Sequence, residues 1–328
     1  MVTTPQFDEA ELLTLIDRML RIVPGGNGGK AKIRQVTQRQ ERVRGGYDAV
    51  ATSVQPFYIQ AKTSEFHPAA SKSKIIAARN NIPVNSSPGV FTFYLRKHEG
   101  TTEPLQHNAL YWLSLRSTAA YVCPTFVSES ELEKRLDLAL ELRRHEIWNY
   151  QKHCYTEFND GKSQTIQARH FHGLMTIVPH RMVDHYLHRY SYDKEINPSI
   201  VFHSEPEYVG YAKSLDSFLL TLTNEASTTD KGFANKARRP LSFERFREMQ
   251  LNWIDEAFDP ATQGFHISLP EVSRTLRSTR FSNNTYFQES SGALAYLRKM
   301  KGEDLSVFFG SLLKEKYGVY QNLLLRND

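Results

Sequence analysis

Apolar residues Leu12, Leu13, Leu15, Ile16, Met19, Leu20 and Ile22 recur at helical spacing. They predict a helix over Asp8 to Ile22, with acidic residues in its first turn and a Pro-Gly-Gly stop. Beyond it the period drops to two. Asp48 to Val54 reads as a strand, Gln55-Pro56 as a turn, and Phe57 to Phe66 as the returning strand of a hairpin. A strand over Phe91 to Lys97, a helix over Pro104 to Leu115 and a strand over Ala119 to Phe126 follow. Ser128 and Glu131 then form a capping box that starts a long helix. Residues 156–165 read as a linker, which divides the chain into residues 1–160 and 161–328. In the second part, Ile166 to Val178 and Ser199 to His203 look like strands and Glu205 to Asn224 looks helical. A polar loop precedes a helix over Leu241 to Phe258, and the stretch from Ser290 to Leu325 is largely helical, with Gly310 and Gly318 as breaks. The order predicts an α/β fold with a mixed central sheet flanked by helices, followed by a C-terminal mixed, mostly helical domain.

The 328 residues suffice for two cores of ordinary size, and 40% hydrophobic with 23% charged residues is a globular composition. No apolar run approaches membrane-spanning length and the N-terminus lacks a secretory pattern, so a cytoplasmic location is expected. Cys123 and Cys154 make neither a disulfide framework nor a zinc quartet.

Net charge is only +5, but it is unevenly spread. Lys30, Lys32, Arg34, Arg39, Arg42 and Arg44 stand against Glu41 alone, a local balance of 6 − 1 = +5. Lys231, Lys236, Arg238, Arg239, Arg245 and Arg247 against Glu244 give the same balance. Clustered positive charge suits a polyanion such as a nucleic-acid backbone, although basic loops are often merely solvated.

The first basic cluster leads into Glu41, Asp48 and Gln60-Ala61-Lys62. Alternation on a strand puts Gln60 and Lys62 on one face. Phosphodiester hydrolysis needs a hard cation, Mg²⁺ or Mn²⁺, held by oxygen ligands. Asp48, Glu41 and the amide oxygen of Gln60 supply such oxygens. The Lys62 ammonium would orient water and stabilise developing negative charge, and Asp48 or Glu41 would be its carboxylate partner. Glu9 or Glu11 on the first helix and Gln106 on the later one are further candidates to face this site. The plain alternative is a turn aspartate and a solvated strand lysine.

Other motifs carry less. The stretch from Pro24 to Lys32 fails as a phosphate loop, because Pro24 and Ala31 stand where Gly and Ser or Thr are required. His170 and His172 share a strand face, but no Cys or acidic residue completes a recognisable metal set.

At Asp48, Gln60 and Lys62 the chain resembles the PD-(D/E)XK restriction-endonuclease-like superfamily, most closely its branch with Gln in the (E/Q)xK position, as in Mrr-type restriction enzymes. The resemblance covers roughly residues 8 to 127, including the order of elements. It departs where Tyr47 replaces the proline before Asp48 and where Gln60 replaces an acidic residue. The resemblance implies a metal-dependent nuclease with Asp48, Glu41, Gln60 and Lys62 as catalytic residues, the first three holding the metal. It further implies a nucleic-acid substrate, DNA before RNA, a microbial restriction or anti-phage setting, and a homodimer or a defence-system partner protein. The rival is a non-catalytic nucleic-acid-binding or assembly subunit that keeps the same core. A C-terminal domain would add substrate or partner contacts.

Overall fold

The computed structural model describes residues 1–22, 31–36, 51, 53–84, 86, 88–95, 105–145, 148–149, 154–159, 162–167, 173–185, 187–195, 198–223, 240–279 and 290–326. Helix α1 spans Glu9–Ile22, and strands β1 (Ala31–Gln35), β2 (Ser53–Ala61) and β3 (Glu65–Pro68) follow. Helix α2 (Lys74–Asn80), strand β4 (Gly89–Tyr94), helix α3 (Leu105–Arg116), strand β5 (Thr118–Pro124) and helix α4 (Glu129–His145) come next. A run of strands succeeds them: β6 (Trp148–Asn149), β7 (Cys154–Asn159), β8 (Lys162–Gln167), β9 (Leu174–Ile177), β10 (Arg189–Tyr192), β11 (Ser199–His203), β12 (Glu207–Tyr211) and β13 (Lys213–Ser214). Helices α5 (Leu215–Thr223), α6 (Phe243–Phe258), α7 (Leu269–Ser278), α8 (Ser290–Lys299) and α9 (Gly302–Tyr317) precede strand β14 (Tyr320–Arg326). The fold is α/β: a mixed sheet with a parallel pair and flanking helices, a second antiparallel sheet, and a C-terminal helical region. No helix among the described residues is long and apolar enough to cross a membrane.

The chain divides into two compact units that interleave in sequence. One comprises Met1–Ala31, Ala61–Pro104 and Ala120–Lys231; the other comprises Lys32–Gln60, Leu105–Ala119 and Gly232–Asp328.

The first unit holds the antiparallel sheet β12-β11-β10-β4-β3. Its registers pair Tyr190 with Phe93 and Phe202, and pair Phe91 with Tyr192 and Phe66. Directly paired residues share a face, so these aromatics form one apolar surface. Their rings meet at ordinary aromatic distances, 5.0 Å for Tyr190 with Phe202 and 5.1 Å for Phe93 with Tyr121 of β5. The opposite face carries Thr92, Ser191, Val201 and His203, and over it lies the buried Arg79 of α2. Arg79 donates to Ser191 Oγ, to the carbonyls of Ser191 and Ser199, and to Asp193 Oδ2 at 3.2 Å. Asp193 also accepts the Glu195 and Ser199 N–H groups, so this buried pair is embedded in hydrogen bonds, as a desolvated charge requires. Elsewhere in the unit, β5, β9 and β13 pair antiparallel in that order, and α1 packs on α4.

The second unit contains β1, β14 and β2 in that order, with β14 antiparallel to β2 from Tyr320 opposite Ile59 to Arg326 opposite Ser53. Trp112, Trp253, Phe265, Phe309 and Tyr317 fill the core between its helices, with Trp112 and Phe265 stacked at 4.6 Å. Gly310 lies inside α9, where a Cβ would stand 3.4 Å from Val36. It is a close-approach residue rather than a break.

Several expectations need correction. Gln55-Pro56 does not turn the chain: β2 runs through both, because proline's fixed φ is compatible with an extended strand and only its donor is lost. The expected strand from Phe57 to Phe66 is therefore divided between the end of β2 and β3, which belongs to the antiparallel sheet. Residues 156–165 are no linker; β7 and β8 pair with Asn159 opposite Lys162, and the intervening Asp-Gly in the sequence is a strong hairpin signal. Glu207–Tyr211 is strand rather than helix, in keeping with its aromatic and β-branched residues. The stretch ending at Leu325 finishes as β14, because Gly318 at φ 62° closes the helix with a left-handed residue.

His203 provides a stability test. It is buried, hydrogen-bonded through Nε2 to Ser191 Oγ at 2.7 Å, and pushed down to about 4, by burial first and then by the charges of Arg79, Arg189 and His67. The unfolded chain takes up this proton near pH 6.5 and the folded chain only near 4, so stability falls as pH drops through that window. The loss is on the order of 3 kcal/mol at most. Urea unfolding at pH 7.5 and 4.5 should show a smaller acid loss for His203→Gln than for wild type; equal losses would show that another group governs the acid limb.

Candidate functional site

Lys62 follows directly on β2 in the first unit. Its N–H donates to the Val122 carbonyl of β5 at 2.9 Å, which fixes the backbone, and the residue is only 3% exposed. Its Nζ lies 3.3 Å from Glu9 Oε1 in the first turn of α1. The solvated strand lysine is thereby excluded. Burial of an ammonium demands a carboxylate, and Glu9 is one such partner. Asp48 and Glu41, the partners expected from sequence, lie outside the described residues.

Glu9 is held where it is by the start of α1. Asp8 Oδ1 accepts the N–H groups of Ala10 and Glu11, and Glu11 Oε2 accepts the Asp8 N–H at 2.9 Å. This reciprocal cap explains Glu11 and leaves Glu9 as the first-turn carboxylate that meets Lys62. The apolar stripe Leu12, Leu15, Ile16, Met19 and Leu20 is buried and sets the helix's rotation.

Gln60 lies in the second unit and is 2% exposed. Its Nε2 donates to Gln106 Oε1 at 3.0 Å and to the Tyr317 carbonyl at 3.2 Å. Its Oε1 is buried and accepts no hydrogen bond among the described residues. A backbone carbonyl cannot exchange donor for acceptor, so Tyr317 determines which end of the Gln60 amide carries the nitrogen. The oxygen therefore faces the other way. A buried acceptor left unmade costs about 1–3 kcal/mol, and such an orphan calls for a water or an ion. An amide oxygen is also a hard, neutral donor of the kind Mg²⁺ or Mn²⁺ accepts, so the chemistry of Gln60 fits the expected metal.

Gln106 was only a weak candidate by sequence, and the structure gives it this contact. It stands in the first turn of α3, while Tyr317 and Gly318 end α9. The approach of these C-terminal residues to β2 had no local signal in the sequence.

The side chains of Lys30, Lys32, Arg34, Arg39, Arg42 and Arg44 lie outside the described residues, as do Lys231, Lys236, Arg238 and Arg239. Arg247 is described, and it donates to the Met300 carbonyl at 3.1 Å and to the Arg298 carbonyl, so it caps the end of α8. His170 and His172 also lie outside the described residues.

A separate group in the first unit joins Asp184, His185 and His188. The Nε2 atoms of the two histidines stand 3.6 and 3.4 Å from Asp184 Oδ1. The rings, however, stack at 4.0 Å and 14°, so their in-plane lone pairs run parallel and do not meet at one ion. His185 Nδ1 also accepts the Leu187 N–H at 3.2 Å, which leaves the proton on Nε2 and points it at the carboxylate. The hydrogen bond to His188 holds the Asp184 carboxyl below its usual range. This arrangement is a carboxylate bound by two imidazoles.

No protein-family model, curated protein or solved structure matches the chain.

The geometry at Gly318 is open to measurement. Its left-handed φ disfavours any Cβ, whereas the added methyl itself would meet Gln60 Nε2 at an ordinary 3.6 Å. Gly318→Ala should lower stability by about 1–2 kcal/mol and Gly318→Asn by less, measured by denaturant unfolding. Equal losses would place the cost in crowding rather than backbone conformation.

Proposed function

We propose that the chain is a divalent-metal-dependent nuclease that hydrolyses nucleic-acid phosphodiester bonds, with DNA the favoured substrate. The observation that carries this reading is the oriented, buried Oε1 of Gln60, which accepts no hydrogen bond among the described residues and stands where the sequence pattern calls for a metal ligand. The buried Lys62 ammonium, paired with Glu9, supports it.

In this reading Gln60 Oε1, Asp48 and Glu41 hold Mg²⁺ or Mn²⁺. When bound, the ion polarises a phosphoryl oxygen and lowers the pKa of a coordinated water. Lys62, paired with Glu9, orients the attacking water and stabilises negative charge as it grows on the phosphate. The basic segment from Lys30 to Arg44 steers the backbone toward the site. Residues 161–328 add substrate or partner contacts. A cytoplasmic restriction or anti-phage role, as a homodimer or with a defence-system partner, accords with the family resemblance.

Purified protein with plasmid, linear duplex and single-stranded DNA should cleave with Mg²⁺ or Mn²⁺ and not with EDTA. Lys62→Met, which keeps the apolar stem, should lower the rate by about 100-fold or more while metal binding persists. Asp48→Asn should lose rate and metal affinity together, with partial recovery in excess Mn²⁺. Binding without cleavage under every metal condition would favour the non-catalytic subunit, and a Lys62→Met variant at the wild-type rate would remove Lys62 from the chemistry.

A second measurement concerns the basic segment. Each phosphate contact adds roughly 0.9 to the logarithmic salt slope on duplex DNA. Replacing Arg34, Arg39 and Arg42 by Gln should weaken binding on all sequences alike and flatten the slope by about two to three. Unchanged affinity and slope would make this segment a solvated one.

A further inference from the structure

We infer that Gln106 is a positioning residue that acts through Gln60, holding its amide so that Oε1 is presented to the cation. The inference rests on the nuclease reading above. A glutamine amide turns about a soft terminal torsion with broad preferences, so burial alone does not decide which end points where. The Tyr317 carbonyl at 3.2 Å decides it here, and Gln106 Oε1 at 3.0 Å takes a second hydrogen bond from the same nitrogen. Reversing the amide would set its oxygen against the Tyr317 carbonyl oxygen and leave its N–H groups where Oε1 now accepts no hydrogen bond among the described residues. Both partners stand at helix ends. Tyr317 closes α9 immediately before the left-handed Gly318, and Gln106 stands in the first turn of α3.

A side chain that holds a metal ligand by hydrogen bonding contributes to affinity without touching the ion; losing such a partner costs about 10–100-fold in binding. Gln106 supplies one of two clamps, so the effect of removing it belongs at the low end of that range.

The test is calorimetric titration of the full-length chain with Mn²⁺ alone, alongside thermal unfolding. Gln106→Met, close in volume and without a hydrogen-bonding oxygen, should weaken Mn²⁺ binding by about tenfold. Gln106→Glu still accepts from Nε2 and should bind within about twofold of wild type. The double variant Gln60→Leu with Gln106→Met should bind no worse than Gln60→Leu alone, because the second residue acts only through the first.

Gln106→Met binding Mn²⁺ as wild type, while Gln60→Leu does not, would overturn the role of Gln106 and leave the nuclease reading standing. Gln60→Leu binding as wild type would remove Gln60 from the metal and overturn the reading on which the inference rests. Should the Met variant lose its fold, Gln106→Lys against Gln106→Glu asks the same question. The Lys variant offers a donor where an acceptor is needed and should lose affinity, and equal affinity for the two would overturn the inference.

Discussion

Strand β2 is buried along its whole length, and that constraint determines much of what surrounds it. A polar side chain on such a strand has no water to bond to, so each one needs a protein partner or carries a desolvation cost. Gln55 meets this by accepting from Arg326 of the neighbouring β14 at 3.2 Å. Tyr58 points its hydroxyl to Gln321, which Gln250 and Ser306 also contact, so a connected set of buried polar groups joins β14, α6 and α9. Gln60 is satisfied at one end only. Among the described residues, Ser53 Oγ and Gln60 Oε1 are the polar side-chain atoms of this strand left without a hydrogen-bond partner.

The local elements were legible because their signals are local. The α1 stripe, the capping box of α4 and the helix over Phe243–Phe258 each follow from side chains within a few residues of one another. Two local signals mislead. At Gln55-Pro56, turn propensity competes with a strand that tertiary pairing sustains, and at Asp160-Gly161 a hairpin signal sits in a polar stretch with the composition of a linker. The pairing of β14 with β2 joins residues such as Tyr58 and Gln321, separated by 263 positions, and no periodicity within either segment announces it.

Lys62 and Gln60 were legible as residue types at a meaningful spacing. Their surroundings were not. Nothing about the run Asp8-Glu9-Ala10-Glu11 says which glutamate caps and which reaches a lysine; this depends on the helix's rotation, set by its buried stripe. The burial of Lys62 changes its interpretation more than its identity does. An exposed lysine costs nothing to place, whereas a buried one needs a negative partner kept at hand, an arrangement that sequence spacing cannot reveal.

The hydrogen bonds of Gln60 also bear on why an amide rather than an acid stands at this position. A carboxylate at this position would direct one oxygen at the Tyr317 carbonyl, an acceptor with no proton to offer. Repulsion and burial would both favour its protonated form, which is a poor ligand for a hard cation. An amide resolves the conflict: its nitrogen satisfies the two acceptors, and its oxygen keeps a lone pair free of charge repulsion in a dry setting. An amide is therefore the side chain compatible with this buried strand, and in the proposed nuclease the charge that holds a divalent ion would come from Asp48 and Glu41.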